Sequence, residues 1–227
     1  MPKTSILTTA VRVSAIAATA LVAVMPLAAH AAGGPFIDAR ISTLGAGVDV
    51  GAPVSPYWDV RLLANGFDYT ANRSVDQIDY NGKLKMASFG VQADWHPIAN
   101  GPLYLTAGLY ANNNKINADA NPTTTTTIGI LPFTPTEIGT LTGHAKYNST
   151  APYLGIGGRW GAGPVDFTLE AGAYFQGKAA VTLTNNGIFA SDPTFQAQLA
   201  VEQQNLQHNL NDFSTYPVVA LGIGYHF

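Results

Sequence analysis

The sequence predicts an all-β fold, a transmembrane antiparallel β-barrel of about eight strands with a short helix in its last long loop. Three observations point there. Segments of roughly ten residues alternate large apolar side chains with polar or small ones, which is the pattern of a membrane barrel. Charged residues are 11% of the 227, less than half of the ~25% usual in a soluble domain. An export signal stands at the amino terminus: Lys3 and Arg12 supply positive charge, 13–25 is apolar, and Ala29-His30-Ala31 offers the small residues that signal peptidase needs. The expected division is a cleaved signal peptide over 1–31 and an outer-membrane barrel over 32–227, exported by a Sec-type route.

Composition narrows the function classes. The absence of cysteine excludes a disulfide scaffold, a thiol nucleophile and a Cys-ligated metal. A net charge of −3 argues against a nucleic-acid partner, which would want a basic face. After Ala31 no apolar run reaches 18 residues, so no spanning helix is expected.

The strands are expected at about 35–42, 44–51, 57–69, 83–95, 103–115, 145–160, 165–183 and 215–227. In the first, Ile37, Ala39 and Ile41 alternate with Asp38 and Arg40, and the chain turns near 43–45; the alternative is one long strand over 36–51. In the third, Trp58, Val60, Leu62 and Ala64 alternate with Asp59, Arg61, Leu63 and Asn65. In the fourth, Phe89, Val91, Ala93 and Trp95 alternate with Ser88, Gly90, Gln92 and Asp94. The same division recurs over 103–112, 152–160 and 166–176, and Asp, Glu, Arg, Gln and Asn gather on the face opposite the apolar residues. Short connections at 52–56, 96–102 and 161–164 are expected on the periplasmic side, and long ones at 70–82, 113–145 and 177–214 outside. Trp58, Trp95 and Trp160 border the short connections, which suits an aromatic girdle at that interface. An amino terminus on the periplasmic side requires an even number of strands.

Two loops carry structure of their own. The threonine run 123–127, bordered by Ile128, Ile130, Leu131 and Phe133, reads as a small hairpin. In the last loop Asp192 is a helix N-cap with Pro193 at the first helical position. Phe195, Leu199, Leu206, Leu210 and Phe213 then form an apolar stripe at helical spacing, expected to pack on the barrel mouth or on neighbouring loop residues, with a partner or lid role as the alternative.

The final segment places Val219, Leu221, Ile223, Tyr225 and Phe227 on one face. An aromatic end with apolar residues at every second position resembles the last strand of bacterial outer-membrane barrels, in which Tyr225 and Phe227 would be read by the barrel-assembly machinery. A narrower resemblance rests on Ala151-Pro152-Tyr153-Leu154-Gly155-Ile156-Gly157, on Glu170-Ala171-Gly172-Ala173-Tyr174-Phe175-Gln176-Gly177 running into 178–184, on 103–110, and on Asp192-Pro193 followed by Tyr216-Pro217-Val218. These stretches are similar to the small outer-membrane barrels of the carbapenem-associated porin type, described as ornithine or basic-amino-acid uptake porins. The resemblance covers most of the chain after Ala31 and implies a barrel in contact with outer-membrane lipids and lipopolysaccharide, taking up small basic solutes.

The interior of an eight-stranded barrel is just wide enough for side chains to fill. The inward set read from the alternation is Asp49, Asp59, Arg61, Gln92, Asp94, Arg159, Asp166, Glu170 and Tyr174, with Tyr104, Tyr110 and Tyr153. One reading is a polar track that prefers cations, since acidic side chains in a low-dielectric wall attract Lys-like or ornithine-like solutes. The other is a packed ion-pair network that closes the lumen, with Arg61 and Arg159 as its hubs. Three functions follow: a narrow porin-like channel for small, basic solutes; a closed structural or interaction barrel with extracellular loops; and a lipid-modifying enzyme. The third is weakest. His144 and Ser149 are the only candidate pair at the outer end of a strand, and their spacing places them on opposite faces. No catalytic residue, metal site or cofactor is therefore expected.

Overall fold

The computed structural model describes residues 34–75 and 78–227. The expected signal peptide lies outside the described residues. In chain order the strands are β1 (Phe36–Ser42), β2 (Gly45–Ser55), β3 (Trp58–Val75), β4 (Ile78–Trp95), β5 (Leu103–Asn112), β6 (Lys115–Pro122), β7 (Thr126–Ile128), β8 (Leu131–Phe133), β9 (Leu141–Lys146), β10 (Thr150–Ala162), β11 (Val165–Phe175), β12 (Ala180–Asn185) and β13 (Thr215–His226). The helices are α1 (Pro135–Ile138) and α2 (Pro193–Asn211).

Eight strands close a ring. Neighbours pair antiparallel in the order β1, β2, β3, β4, β5, β10, β11, β13, and β13 returns to β1 with Phe36 opposite His226 and Ser42 opposite Ala220. Closure leaves the ring without an edge whose N–H and C=O groups would go unpaired in lipid. Among the described residues no helix is long and apolar enough to cross a membrane.

The two faces of the ring are chemically inverted relative to a soluble protein. Outward-facing Leu221, Leu154, Phe89 and Phe167 are more than half exposed, whereas inward-facing Arg61, Asp38, Gln92 and Asp94 are 1% exposed. Only a hydrocarbon solvent makes that arrangement favourable, because the outward apolar side chains gain nothing in water. Trp58 and Trp95 sit directly opposite each other at the short-turn end, both exposed. Trp160 is half-buried and lies over Gly158 instead.

One side of the ring continues upward as a cap. The first half of β4 pairs with β6, β6 with β9, and β9 with β12. These strands prolong β5, β10 and β11, with interruptions at 113–114, 147–149 and 176–179. The inner face of the cap sheet carries Ile78, Ala120, Leu141, Val181 and Leu183, and α2 covers it with Phe195, Leu199, Leu206 and Leu210. Asp192 caps α2 by accepting from the Phe195 amide at 2.8 Å. The β7–β8 hairpin completes this core through Ile128 and Phe133, the latter stacked edge-on against Phe195 at 4.8 Å.

Several boundaries differ from expectation. The segment 70–82 is not a loop; β3 and β4 run on as paired strands to Val75 and from Ile78. Above the ring the alternation of β4 reverses its faces: Ile78, Tyr80 and Leu84 turn inward while Asp79, Asn81, Lys83 and Lys85 face out. The expected strand over 165–183 is two, because Gly177 adopts a left-handed φ of 74° between β11 and β12. Likewise 145–160 is divided between β9 and β10, and 103–115 ends at Asn112. In the other direction, β2 runs on through Pro53 to Ser55, so the 52–56 connection shrinks to a tight turn with a register shift. The separate first strand is present: β1 and β2 are joined at 43–44, where the Ser42 hydroxyl donates to the Gly45 carbonyl at 3.0 Å and accepts from the Leu44 amide at 3.1 Å. The apolar stripe of α2 packs on β12 and β7, on neighbouring loop structure. Phe213 lies beyond the helix and is exposed.

Inside the ring, glycines make room for rings. A Cβ on Gly157 would strike the Tyr104 ring, and one on Gly90 would strike Tyr110. Neither ring has anywhere to move, since both are 2% exposed. Gly157→Val should therefore lower barrel stability by about 1–3 kcal/mol, read as a fall in the urea midpoint for unfolding from detergent micelles.

Candidate functional site

The inward face holds stacked layers of polar side chains. At mid-height Arg61, from β3, is the hub. Its Nε lies 2.6 Å from Asp94 Oδ2 and its Nη2 2.9 Å from Asp94 Oδ1, a two-pronged pairing with β4. The same Nη2 reaches Glu170 Oε2 on β11 at 2.7 Å, and Nη1 reaches Asp49 Oδ2 on β2 at 3.3 Å. A planar guanidinium is suited to this, because its fork of donors meets several carboxylates at once.

Arg40, on β1, is the second arginine of this layer, and it was not among the residues singled out from sequence. It binds Asp49 at 2.7 Å and Glu170 at 3.4 Å. Two arginines thus face three carboxylates, Asp49, Asp94 and Glu170, leaving one negative charge in excess. Glu170 absorbs it by accepting two further hydrogen bonds, from the Tyr153 hydroxyl at 2.8 Å and the Tyr104 hydroxyl at 3.1 Å. The Arg61 guanidinium also lies 5.2 Å from the centre of the Tyr104 ring.

Above this layer stand Tyr110, Tyr153 and Tyr174. Tyr110 meets Tyr153 at 5.9 Å and Tyr174 at 5.3 Å, both edge-on, an arrangement that places a positive ring edge on a negative face. Gln92 donates to the Tyr110 hydroxyl at 2.9 Å. Leu63, Leu44, Met86 and Val218 fill the space around the rings. Higher still, Asn65, Ser88, Asn112, Asn114 and Gln176 form a buried amide-rich layer under the cap. There Gln176 donates to the Phe213 carbonyl at 2.9 Å and accepts from Asn114 at 3.4 Å.

Arg159 belongs to a lower, separate layer. It binds Asp38 at 2.7 Å, lies 3.8 Å from Asp166 and stacks on Phe36 with its guanidinium carbon 3.5 Å from the ring centre. Asp166 also pairs with His226, next to the chain end. The expectation of two hubs in one network thus becomes two layers, with Arg40 replacing Arg159 beside Arg61. Asp38, like Arg40, lies on the polar face of β1 that alternates with Ile37, Ala39 and Ile41, and the period of two was the signal that could have added both to the inward set. Asp59 lies at the bottom turn, half-buried, bound to His96 Nε2 at 3.0 Å.

His96 sits in the turn between β4 and β5. Its second nitrogen, Nδ1, faces the Gly101 carbonyl at 2.8 Å, so both ring nitrogens meet acceptors. That geometry favours the imidazolium form, and the hydrogen bond to the Asp59 carboxylate raises the His96 pKa above the ordinary imidazole value. His144, the candidate base at the outer end of a strand, points Nδ1 at Asn117 Oδ1 at 2.8 Å on the exposed face of the cap sheet.

Neither a protein-family model nor a curated protein matches this sequence. Solved structures do match. Acinetobacter baumannii CarO2 superposes with a TM-score of 0.60 at 21% identity, over 86% of this chain and 98% of the CarO2 chain. Acinetobacter baumannii CarO does so with a TM-score of 0.58 at the same identity and coverage. The chain has the CarO fold. With CarO and CarO2 it shares the closed eight-stranded antiparallel ring, and nearly the whole length of each of those chains is accounted for here.

Removing one partner from a buried ion pair strands the others. Arg61→Ala should cost about 3–5 kcal/mol, seen as a loss of the heat-modifiable folded band after refolding into detergent. Arg61→Lys should recover only part of this, since an ammonium does not span three carboxylates. His96 gives a pH dependence. Its folded pKa is raised, so its contribution to stability is complete below the ordinary imidazole pKa of about 6.5 and is lost as pH rises through the folded value. The urea midpoint of the wild type should therefore fall toward that of His96→Gln on going from acidic to alkaline buffer.

Proposed function

We propose that this chain is a closed outer-membrane barrel that holds a folded cap at the cell surface. The observation that carries this reading is the filled interior. At mid-height Arg61 is wholly buried among Asp49, Asp94 and Glu170, and the interlocked Tyr110, Tyr153 and Tyr174 lie directly above. A conducting path would have to pass charges that already satisfy one another, and parting them exposes a carboxylate or guanidinium to a low-dielectric wall.

Membrane placement is supported by the outward apolar face and by the shared CarO fold. In that placement the short turns at 56–57, 96–102 and 163–164 lie in the periplasm. The cap, built from β6 to β9, β12 and α2, stands outside. Its own apolar core of Ile128, Ile138, Leu141, Phe195 and Leu206 makes it a folded module resting on the rim, rather than a set of loose loops. No catalytic constellation is part of this reading, and the barrel serves as an anchor.

Planar-bilayer recording separates a sealed interior from a channel for small basic solutes. The wild type should give no steady single-channel current with potassium or ornithine as the cation. A steady current from the wild type, altered by Glu170→Gln, would establish conduction and overturn the closed reading.

A further inference from the structure

All five lysines that follow residue 31 lie in one part of the fold: Lys83, Lys85, Lys115, Lys146 and Lys178. Each is exposed on the cap sheet or at its base. Three stand directly opposite one another across adjacent strands, Lys85 against Lys115 and Lys115 against Lys146. Lys146 then faces Ala180, two residues beyond Lys178. Lys83 sits one step higher, opposite Asn117.

Like charges placed directly opposite, with Cβ atoms about 4.5–5.5 Å apart, destabilise a sheet. None of the five lysines forms an ion pair among the described residues, whose salt bridges all lie inside the barrel or at its lower turn. The one carboxylate in register with the row is Asp68, opposite Lys85. Asp119 stands diagonal to Lys83 on the same face, where it accepts from the Thr142 hydroxyl at 2.8 Å, so five lysines meet two neighbouring carboxylates and the surface keeps a cationic excess.

Its height says what covers it. On β4 the outward apolar series ends at Phe89, four residues below Lys85; on β11 it ends at Phe175, three residues before Lys178. At ~3.3 Å per residue, the lysines stand roughly 10–13 Å along the chain past the last lipid-facing side chains. With strands tilted about 35–45° this is roughly 7–10 Å of height, at the outer edge of the headgroup layer, which is about 5–8 Å deep on each side of the bilayer core. The choice of residue fits as well. Arg40, Arg61 and Arg159 are spent inside, where forked pairing matters, whereas the hydrated point charge of lysine suits phosphate oxygens at a wet interface.

We propose that Lys85, Lys115 and Lys146, flanked by Lys83 and Lys178, form a binding site for the phosphorylated headgroup of an outer-leaflet lipid. The site rests on the membrane placement and is independent of whether the interior is sealed. The phosphate oxygens take the place of the missing carboxylates, so that the like-charge row becomes an alternating one.

The test uses the protein refolded into neutral detergent micelles and titrated with diphosphorylated lipid A, with native mass spectrometry as the readout. Lipid A should bind in preference to diacylglycerol, which lacks phosphate. The triple variant Lys85→Gln/Lys115→Gln/Lys146→Gln should weaken binding on the order of a hundredfold, and Lys115→Gln alone about fivefold. The triple Lys→Arg variant should retain it. Heat-modifiable mobility checks that each variant is folded, and Lys115→Gln decides if the triple is not. Equal binding by the glutamine variants or by diacylglycerol would overturn the proposal. Competition by inorganic phosphate at equal concentration would overturn the assignment to a lipid. Bilayer conductance of the same variants reports separately on the interior.

Discussion

A ring of eight strands encloses a space about two side chains across, and most of the interior chemistry follows from that narrowness. Every inward position is either a donor of bulk or a donor of room. Tyr104 and Tyr110 fit only because Gly157 and Gly90 face them. Arg61 is tolerated only because Asp49, Asp94 and Glu170 reach it from three other strands. A charge in such a place has no water to fall back on, so the pairs come as a set. The ladder of the barrel and the ionic layer are therefore mutually dependent: strand register sets which charges meet, and the pairing in turn resists a slip of register.

The cationic residues are divided by chemistry. Arginine is concentrated where one group must satisfy several carboxylates, as at Arg40, Arg61 and Arg159. Among the described residues lysine is confined to the band around Lys85, Lys115 and Lys146, and Arg73, exposed on the upper part of β3, is the arginine that stands outside the ring. Inside, a guanidinium keeps its charge at any physiological pH and offers donors in a plane; outside, an ammonium stays solvated on a flexible stem.

Much of this was legible because a strand has a period of two that nothing blurs. Asp49, Arg61, Gln92, Asp94 and Glu170 fall opposite the apolar residues in sequence, and all are buried in the structure. What alternation does not contain is height. Arg40 and Glu170 lie 130 positions apart, and their meeting is set by the stagger of strands around the ring. The same stagger sends Arg159 down to Asp38, 121 positions away. Periodicity also changes meaning where lipid ends: in 78–82 Ile78 and Tyr80 turn inward while Asp79 and Asn81 face out, in a stretch that sequence pattern reads as loop. The capping of α2 by Asp192 was plain, but Glu202 within its apolar stripe was not, since no pattern marks a carboxylate for burial.

The interruptions at 113–114, 147–149 and 176–179 fall side by side on neighbouring strands, while β4 passes the same level unbroken. One uninterrupted ribbon therefore acts as a mast, and the other three segments are rigged to it. Residues gained or lost at these seams alter the upper sheet without sliding any lipid-embedded strand against its neighbour. Such a chain is free to change the face it shows the surroundings at little cost to its foundation.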